Sequence, residues 1–195
     1  MNNTPSVVTT ERYSSGLTYQ DYITRIKVNK EQFENFYESG QLNTEDEAFF
    51  RKAAQTPNGI GKMLVIGEAW CPDVFRGMPV AARISEATGV ELRIFPRDEN
   101  LDIMNEFLNQ GKFISIPVIV FYTEVLCPIC HWIERPALAN LEREQIEASI
   151  NKELPDADEQ EQRAEIQIRT QSRYPDWQQE SIREMRLMLA EKLNI

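Results

Sequence analysis

The sequence predicts an α/β domain with a central mixed sheet of about four strands flanked by helices. Three apolar runs are short enough to be buried strands: residues 62–67, 90–95 and 115–122. Residues 74–87 and 100–111 carry apolar residues at helical intervals, and helices between strands imply right-handed crossovers and a largely parallel sheet. Residues 130–134 follow the third run closely enough to return as an antiparallel hairpin strand.

Charge and composition narrow the classes of partner. The 195 residues include 21 basic and 31 acidic side chains, a net charge of −10, which argues against a nucleic-acid backbone or an anionic membrane as partner. The first residues lack the basic flank and apolar core of a signal peptide, and the apolar run at 116–122 is too short to span a bilayer. We therefore expect a cytoplasmic protein that binds neither nucleic acid nor membrane and uses no cofactor.

The chain divides by composition into three parts. Residues 1–17 are polar and rich in Ser and Thr, which predicts a flexible N-terminal arm. Helical patterns follow at residues 19–26 and 30–37, and Thr44 is expected to open a further helix through Ala54 with a capping box. We place the main domain at residues 18–150 and a helical C-terminal extension at residues 151–195.

The C-terminal part predicts three helices separated by proline-containing breaks: residues 137–152, 158–172 and 177–193. The last helix carries an apolar stripe made by Ile182, Met185, Leu187, Met188 and Leu189. The stripe either packs on the main domain or forms a surface for a homodimer or another partner.

Cys71 is the strongest candidate for a reactive residue, because it lies between a predicted buried strand and the start of a helix at Pro72. Unpaired backbone N–H groups and the positive end of the helix dipole favour a thiolate at such a position. Glu68 and Asp73 flank the cysteine, and their negative charges oppose a thiolate. Arg76, expected on a solvated helix face, offsets them, and the sequence leaves open which effect is larger.

Four segments in order carry a family resemblance: Trp-Cys-Pro-Asp at residues 70–73, Arg-Asp-Glu-Asn at 97–100, Ser-Ile-Pro at 115–117 and Trp-x-x-Arg-Pro at 132–136. Together they resemble the thioredoxin superfamily over residues 18–150, and most closely a bacterial thioredoxin-like family whose motif reads Trp-Cys-Gly-Asp. The resemblance implies a thioredoxin fold, Cys71 as the attacking thiol, and a cis Pro117 beside its sulfur. It also implies a substrate groove, shielded by Trp70, that is formed by Trp70, Pro72, Asp73, Ile116 and Pro117.

The sequence departs from thioredoxin three residues after Cys71, where Val74 replaces the second, resolving cysteine. Without that thiol, a mixed disulfide at Cys71 has no local partner to release it. Three readings of Cys71 stay open. It acts as a monothiol with a small thiol completing the cycle, it uses a distant cysteine, or it is inert in a binding scaffold.

A second cysteine pair lies in the predicted hairpin, in the segment Cys127-Pro128-Ile129-Cys130-His131. It is compatible with a transient disulfide, with three of the four ligands of a zinc site, or with two ordinary thiols. The cytochrome c haem-attachment reading of Cys-x-x-Cys-His is disfavoured by the lack of an export signal. Trp132, next in the chain, is expected to pack in the core or at the edge of the sheet.

The sequence therefore predicts a thiol-linked, monothiol redox function at Cys71 in the cytosol. The expected partners are protein thiols and disulfides or a glutathione-like small thiol. Two alternatives remain: a non-catalytic module that binds peptides or proteins in the same groove, and redox or zinc sensing through Cys127 and Cys130.

Overall fold

A computed structural model describes residues 6–195. Four strands form one sheet: β1 (Lys62–Gly67), β2 (Glu91–Pro96), β3 (Val118–Tyr122) and β4 (Pro128–Ile133). Nine α-helices occur in the described residues: α1 (Thr10–Ser14), α2 (Tyr19–Arg25), α3 (Lys30–Ser39), α4 (Thr44–Gln55), α5 (Pro72–Thr88), α6 (Leu101–Met104), α7 (Ala137–Glu153), α8 (Glu159–Gln171) and α9 (Tyr174–Leu193). None of the helices among these residues is both long and apolar enough to cross a membrane.

The sheet is mixed, as predicted, with strand order β2-β1-β3-β4. Only β1 and β2 pair in parallel, whereas β3 is antiparallel to both β1 and β4, so the expectation of a largely parallel sheet was wrong. The predicted helix at 100–111 is reduced to the four-residue α6 and a single 3₁₀ turn. Because this short segment does not carry the chain back along the sheet, β3 starts at the end where β2 stops.

Helix α5 begins immediately after Cys71 and packs on β1. Cys71 is the N-cap residue, Pro72 occupies the first turn where its missing N–H costs nothing, and Gly89 ends the helix with φ +74°. Val74 is fully buried, and a Cβ on Gly67 would lie 2.7 Å from its Cγ1. The strand glycine therefore allows α5 to lie close against the sheet.

The expected flexible arm at residues 1–17 is in part a packed element, while residues 1–5 lie outside the described residues. Tyr13 of α1 is fully buried, and its hydroxyl donates to the carbonyls of Met63 (3.0 Å) and Glu91 (2.8 Å). Leu17 forms a β-bridge with Ile94. The polar composition gave no sign of these contacts, because one buried tyrosine is enough to hold the segment and changes its average composition little.

The helix expected to start with a capping box at Thr44 is capped differently. The N-cap is Asn43, whose side-chain oxygen accepts a hydrogen bond from the Asp46 amide (2.9 Å). Asn is preferred over Thr at this position, so the helix begins one residue earlier than predicted.

Helix α9 packs on the main domain. Trp177, Ile182, Met185 and Leu189 are buried, whereas Leu187 is 55% exposed. Most of the predicted stripe therefore belongs to the core that α9 shares with α4, α5 and β4. Self-association through the C-terminal helices stays a prediction.

Candidate functional site

Cys71 lies in a tight turn between β1 and α5. Its amide donates to the Glu68 carbonyl (3.1 Å), and its carbonyl accepts from the amides of Val74 (3.1 Å) and Phe75 (3.3 Å). These bonds fix the backbone of the turn on both sides of the cysteine. The side chain itself is buried, with 9% of its surface exposed.

Pro117 stands on the other side of the Cys71 sulfur. The Ile116–Pro117 bond is cis, and the Ile116 carbonyl oxygen lies 3.8 Å from Cys71 Sγ, so the thiol donates a weak hydrogen bond to it. A Cβ on Gly77 would lie 3.0 Å from Pro117 Cγ and 3.3 Å from the Trp132 ring. Glycine at this position lets α5 approach the proline loop closely.

A buried ionic cluster surrounds the first turn of α5. Asp73 forms ion pairs with Arg76 and, at 2.9 Å, with Arg135 at the end of β4. The expectation that Arg76 lies on a solvated helix face was wrong, since its side chain is 6% exposed. Its guanidinium lies 4.1 Å from the ring centroid of Tyr174 and 5.3 Å from that of Trp177. Helix α9 thus covers the Arg76 guanidinium, although the local sequence of α5 predicts that this residue faces solvent.

The surroundings of Cys71 favour the neutral thiol. Burial raises the pKa of Cys71, and the negative charge of Asp73 raises it further. Hydrogen bonding from the Val74 and Asp73 amides and the charge of Arg76 lower the pKa but do not offset the increase. Desolvation, which the sequence analysis did not weigh, together with the charge of Asp73 therefore outweighs the backbone amides and Arg76.

Trp70 is 51% exposed, and its shielding of the sulfur stays a prediction. The Arg97 guanidinium lies 5.1 Å from the centroid of its ring, a cation–π contact. The Glu68 side chain accepts a hydrogen bond from the Asp98 amide (2.8 Å). The segment after β2 therefore supports the turn that carries Trp70 and Cys71.

Trp132 packs in the core, as predicted, and is 4% exposed. Its indole N–H donates to Glu184 of α9 (2.9 Å), and the other oxygen of Glu184 accepts from the Ala137 amide (2.7 Å). This carboxylate joins β4, the start of α7 and α9 on the side of the sheet that faces α5.

Sequence reasoning missed two residues of the N-terminal helices. Asn29, with a left-handed backbone (φ +56°), donates from its side chain to the Ala69 carbonyl (2.8 Å), directly before Trp70 and Cys71. Tyr22 of α2 is 2% exposed, and its hydroxyl has no hydrogen-bond partner among the described residues. No pattern in the sequence links residue 29 to the turn before Cys71, because only folding brings them together.

The segment before Pro117 presents free backbone groups and apolar side chains. Among the described residues, the amides of Ile114, Ser115 and Ile116 donate no hydrogen bond within the chain. Phe113 and Ile114 are 58% and 49% exposed. This edge lies at the same end of the sheet as Trp70, since Ile66 of β1 pairs with Val118 of β3.

The structure does not bring Cys127 and Cys130 to Cys71. Val74 fills the position of a resolving cysteine, and the five residues of β3 carry the chain about 16 Å toward the hairpin turn. Direct resolution of a Cys71 disulfide by either thiol is therefore excluded without rearrangement, because a disulfide requires Cα atoms within about 7 Å.

Cys127 and Cys130 differ in exposure. Cys127 is exposed at the turn, and Cys130 is half-buried on β4, next to an irregularity in the β3–β4 register between Phe121 and Tyr122. A transient disulfide between the two thiols stays a prediction. The ring of His131 packs against Phe107, with 5.4 Å between centroids. Within residues 6–195, no three His, Cys, Asp or Glu side chains form a group that could hold a metal ion.

The comparisons with known proteins agree with the fold. A crystal structure of a protein of unknown function from Pseudomonas aeruginosa superposes with a TM-score of 0.62 at 14% identity, covering 94% of this chain and 98% of that one. The structure of an HIV epitope-scaffold superposes with a TM-score of 0.64 at 14% identity, covering 96% and 99%. No curated protein matches the chain. The sequence family described as Thioredoxin matches residues 16–146, so this chain belongs to that thioredoxin family.

Proposed function

We propose that this chain binds an extended polypeptide segment at the end of the sheet that carries Cys71 and Pro117. The observation that supports this most directly is the free backbone edge at Ile114–Ile116, whose amides have no acceptor within the described chain. An extended peptide can pair with such an edge through its main chain, as in β-strand addition. The exposed side chains of Trp70, Phe113 and Ile114 offer apolar contacts at the same end.

The state of Cys71 supports binding over catalysis. A nucleophilic cysteine requires the thiolate, whereas this thiol is buried beside an acidic residue that raises its pKa. Val74 also removes the local route for releasing a mixed disulfide. The thioredoxin fold then serves as a scaffold in which Cys71 packs against the proline loop.

A monothiol exchange role is the second candidate, and one observation favours it. Cys71 Sγ lies beside Ile116 and directly at the N-terminus of α5, where a peptide paired with the free edge would bring a disulfide close to the sulfur. The thiolate would attack that disulfide, one partner sulfur would leave as a thiolate, and a glutathione-like thiol would release Cys71. The monothiol candidate includes a cytoplasmic location and protein thiols or disulfides as partners.

The test uses full-length wild-type chain and an array of ten-residue unstructured peptides with alternating apolar residues. Binding is measured by ¹⁵N NMR, with the amides of Ser115 and Ile116 as reporters. The binding proposal predicts chemical-shift changes at these two amides when a peptide is added. It also predicts that the affinity of the Cys71→Ala chain stays within about threefold of wild type, since removal of one thiol leaves the backbone edge intact. Loss of binding in Cys71→Ala, together with mixed disulfides in wild type, would replace it with monothiol exchange.

A matched pair of variants isolates the backbone donor. Ser115→Pro removes the amide at residue 115, whereas Ser115→Ala keeps it and changes only the side chain. We expect Ser115→Pro to lose at least about tenfold in affinity and Ser115→Ala to change little, because only the former loses a main-chain hydrogen bond. Far-UV circular dichroism and thermal melting check that both chains are folded, and equal affinities would contradict the proposal.

A further inference from the structure

The hairpin of β3 and β4 contains a β-bulge between its two cysteines. Cys130 pairs with Phe121, and the register of the two strands shifts between Phe121 and Tyr122. Directly after β3, the Thr123 amide donates to the Cys127 carbonyl (2.9 Å), and the Cys127 amide donates to the Thr123 hydroxyl (3.1 Å). Three steps along the chain from Cys127 to Cys130 are therefore opposed by only two steps from Thr123 to Phe121, which leaves one extra residue on β4.

The bulge places the two thiols on the same face of the hairpin. Opposed residues of an antiparallel pair project to one face, and so do residues two apart on one strand. Because Thr123 and Phe121 are two apart, their partners Cys127 and Cys130 share a face, about 6.6 Å apart along the strand. A disulfide requires a Cα separation of about 4.4–6.8 Å. Without the extra residue, the cysteines would be about 10 Å apart on opposite faces.

This face of the hairpin packs against α9. Trp132, two residues after Cys130 on β4, donates its indole N–H to Glu184 of α9 (2.9 Å). Cys130 is half-buried, whereas Cys127 is exposed at the turn. The pair therefore combines one thiol that is open to a reagent in solution with one thiol that is sheltered beside it.

The backbone around Cys127 is held in place. Leu126 has a left-handed φ of +61°, and its amide donates to the Thr123 carbonyl (3.0 Å), which closes a four-residue turn. Pro128 follows on β4, the edge strand of the sheet, where a missing amide donor is tolerated beside a bulge. A bond between the two sulfurs thus needs side-chain rotation and little movement of the backbone.

We propose that Cys127 and Cys130 form a reversible disulfide by exchange with a small disulfide of the glutathione type. The Cys127 thiolate attacks one sulfur of the small disulfide, whose S–S bond breaks, and one small thiol leaves with the bonding electrons and takes up a proton. Cys130, after losing its proton, attacks the Cys127 sulfur, and the second small thiol leaves in the same way. Two protein thiols are thereby oxidised, and one small disulfide is reduced to two thiols.

This inference goes beyond polypeptide binding, because both thiols lie at the opposite end of the sheet from Cys71 and Pro117. Burial raises the pKa of Cys130 to about 12, which slows the second step because its thiolate is scarce. The same burial does not oppose the product, since a disulfide carries no charge. The test is therefore made at equilibrium.

The experiment incubates the full chain at pH 8 with graded ratios of reduced and oxidised glutathione until the fractions stop changing. After acid quenching and alkylation of the remaining thiols, mass spectrometry of tryptic peptides identifies each state. No Lys or Arg lies between Cys127 and Cys130, and Cys71 falls in a different peptide. We expect wild type to form the internal disulfide. In Cys130→Ala we expect at least about tenfold more glutathione on Cys127 than in wild type, because no neighbouring thiol displaces it.

Two controls separate the folded geometry from the spacing in the sequence. Cys71→Ala is expected to behave as wild type. Wild type in denaturing urea keeps the Cys-x-x-Cys spacing and loses the bulge, so we expect the equilibrium constant for the internal disulfide to be at least about tenfold larger in the folded chain.

Three results would overturn the proposal. The first is as much glutathione on Cys127 in wild type as in Cys130→Ala. The second is an equal equilibrium constant in the folded and urea-denatured chains. The third is loss of the internal disulfide in Cys71→Ala. Thermal melting of both variants confirms that they are folded under the conditions of the test.

Discussion

The two ends of the sheet use their polar groups differently. At the Cys71 end, Asp73 and Arg76 are buried and paired, and the thiol is 9% exposed. At the hairpin end, Cys127 is exposed, and the ion pair between Lys62 and Glu124 leaves the glutamate side chain 76% exposed. A cavity of about 520 Å³ opens at the hairpin end, and none of the predicted site residues lines it.

The difference shows that side chains with altered chemistry lie where several elements pack together and bury them. The size of a cavity does not indicate where they lie. At the Cys71 end, the start of α5, the proline loop and α9 meet around a few charged groups. At the hairpin end, the lining comes mostly from turns and helix ends, such as Thr56, Gly59 and Gly89. Substitutions of the same kinds of residue are therefore expected to change stability and reactivity strongly at the Cys71 end and weakly at the hairpin end.

The largest expected effect is on stability at the Cys71 end. Arg76→Met removes the buried cation and leaves Asp73 with Arg135 as its remaining partner. Breaking a buried pair in this way is expected to lower the free energy of unfolding by about 3–5 kcal/mol, since an ion is left inadequately paired. Urea denaturation followed by circular dichroism measures it.

The matched change at the hairpin end is Glu124→Gln, which breaks the pair with Lys62. Because the carboxylate is mostly exposed, we expect a loss of less than about 1 kcal/mol. Similar losses for Arg76→Met and Glu124→Gln would break the comparison between the two ends.

Thiol reactivity gives the second test. At pH 8 we expect iodoacetamide to modify Cys127 at least about tenfold faster than Cys71 or Cys130, because exposure and thiolate content govern alkylation. The pKa of Cys71 is raised by burial, and that of Cys130 is raised by burial to about 12. Peptide mass spectrometry resolves the three sites, and a chain in which Cys71 reacts first would favour monothiol exchange over binding.

Asp73→Asn sharpens the electrostatic account of Cys71. The change removes the negative charge that raises the pKa of the thiol, while Arg76 and Arg135 keep their positive charges. We expect alkylation of Cys71 at pH 8 to become about tenfold faster, as for a pKa decrease of one unit. Glu124→Gln is again the control, and an unchanged rate in Asp73→Asn would leave desolvation as the sole cause.

The last expected effect is on the pH dependence of stability. A thiol whose pKa is raised in the folded state keeps its proton there after the unfolded chain has lost it, so its stabilising contribution is lost as pH rises above about 8.5. Cys130, with a pKa of about 12, contributes to this loss. We expect the free energy of unfolding to fall between pH 8.5 and 10, with a smaller fall in Cys130→Ala than in Cys127→Ala. Urea titrations at each pH measure both, and equal slopes would contradict the assignment.

Local patterns were sufficient for much of the fold. The apolar runs at 62–67 and 90–95 became β1 and β2, and the strand–turn–helix pattern around Cys71 became the N-terminus of α5. The direction of β3 was less accessible, because it depends on whether residues 97–117 form a full crossover helix. That segment is mostly irregular. Its helix has only four residues and is too short to form on the basis of local sequence alone, so the sequence does not predict the path of the chain.

The sequence by itself determined the position of Cys71 before a helix, the absence of a resolving cysteine at Val74, and the family pattern that points to Pro117. These are properties of neighbouring residues and of motif order. Only the tertiary structure decided that Arg76 is buried, because its aromatic cover at Tyr174 and Trp177 lies about 100 residues away in the chain. The same holds for Asn29, whose hydrogen bond to the Ala69 carbonyl exists only in the folded chain. Burial sets the charge state of the site, and burial is a property of packing between distant segments.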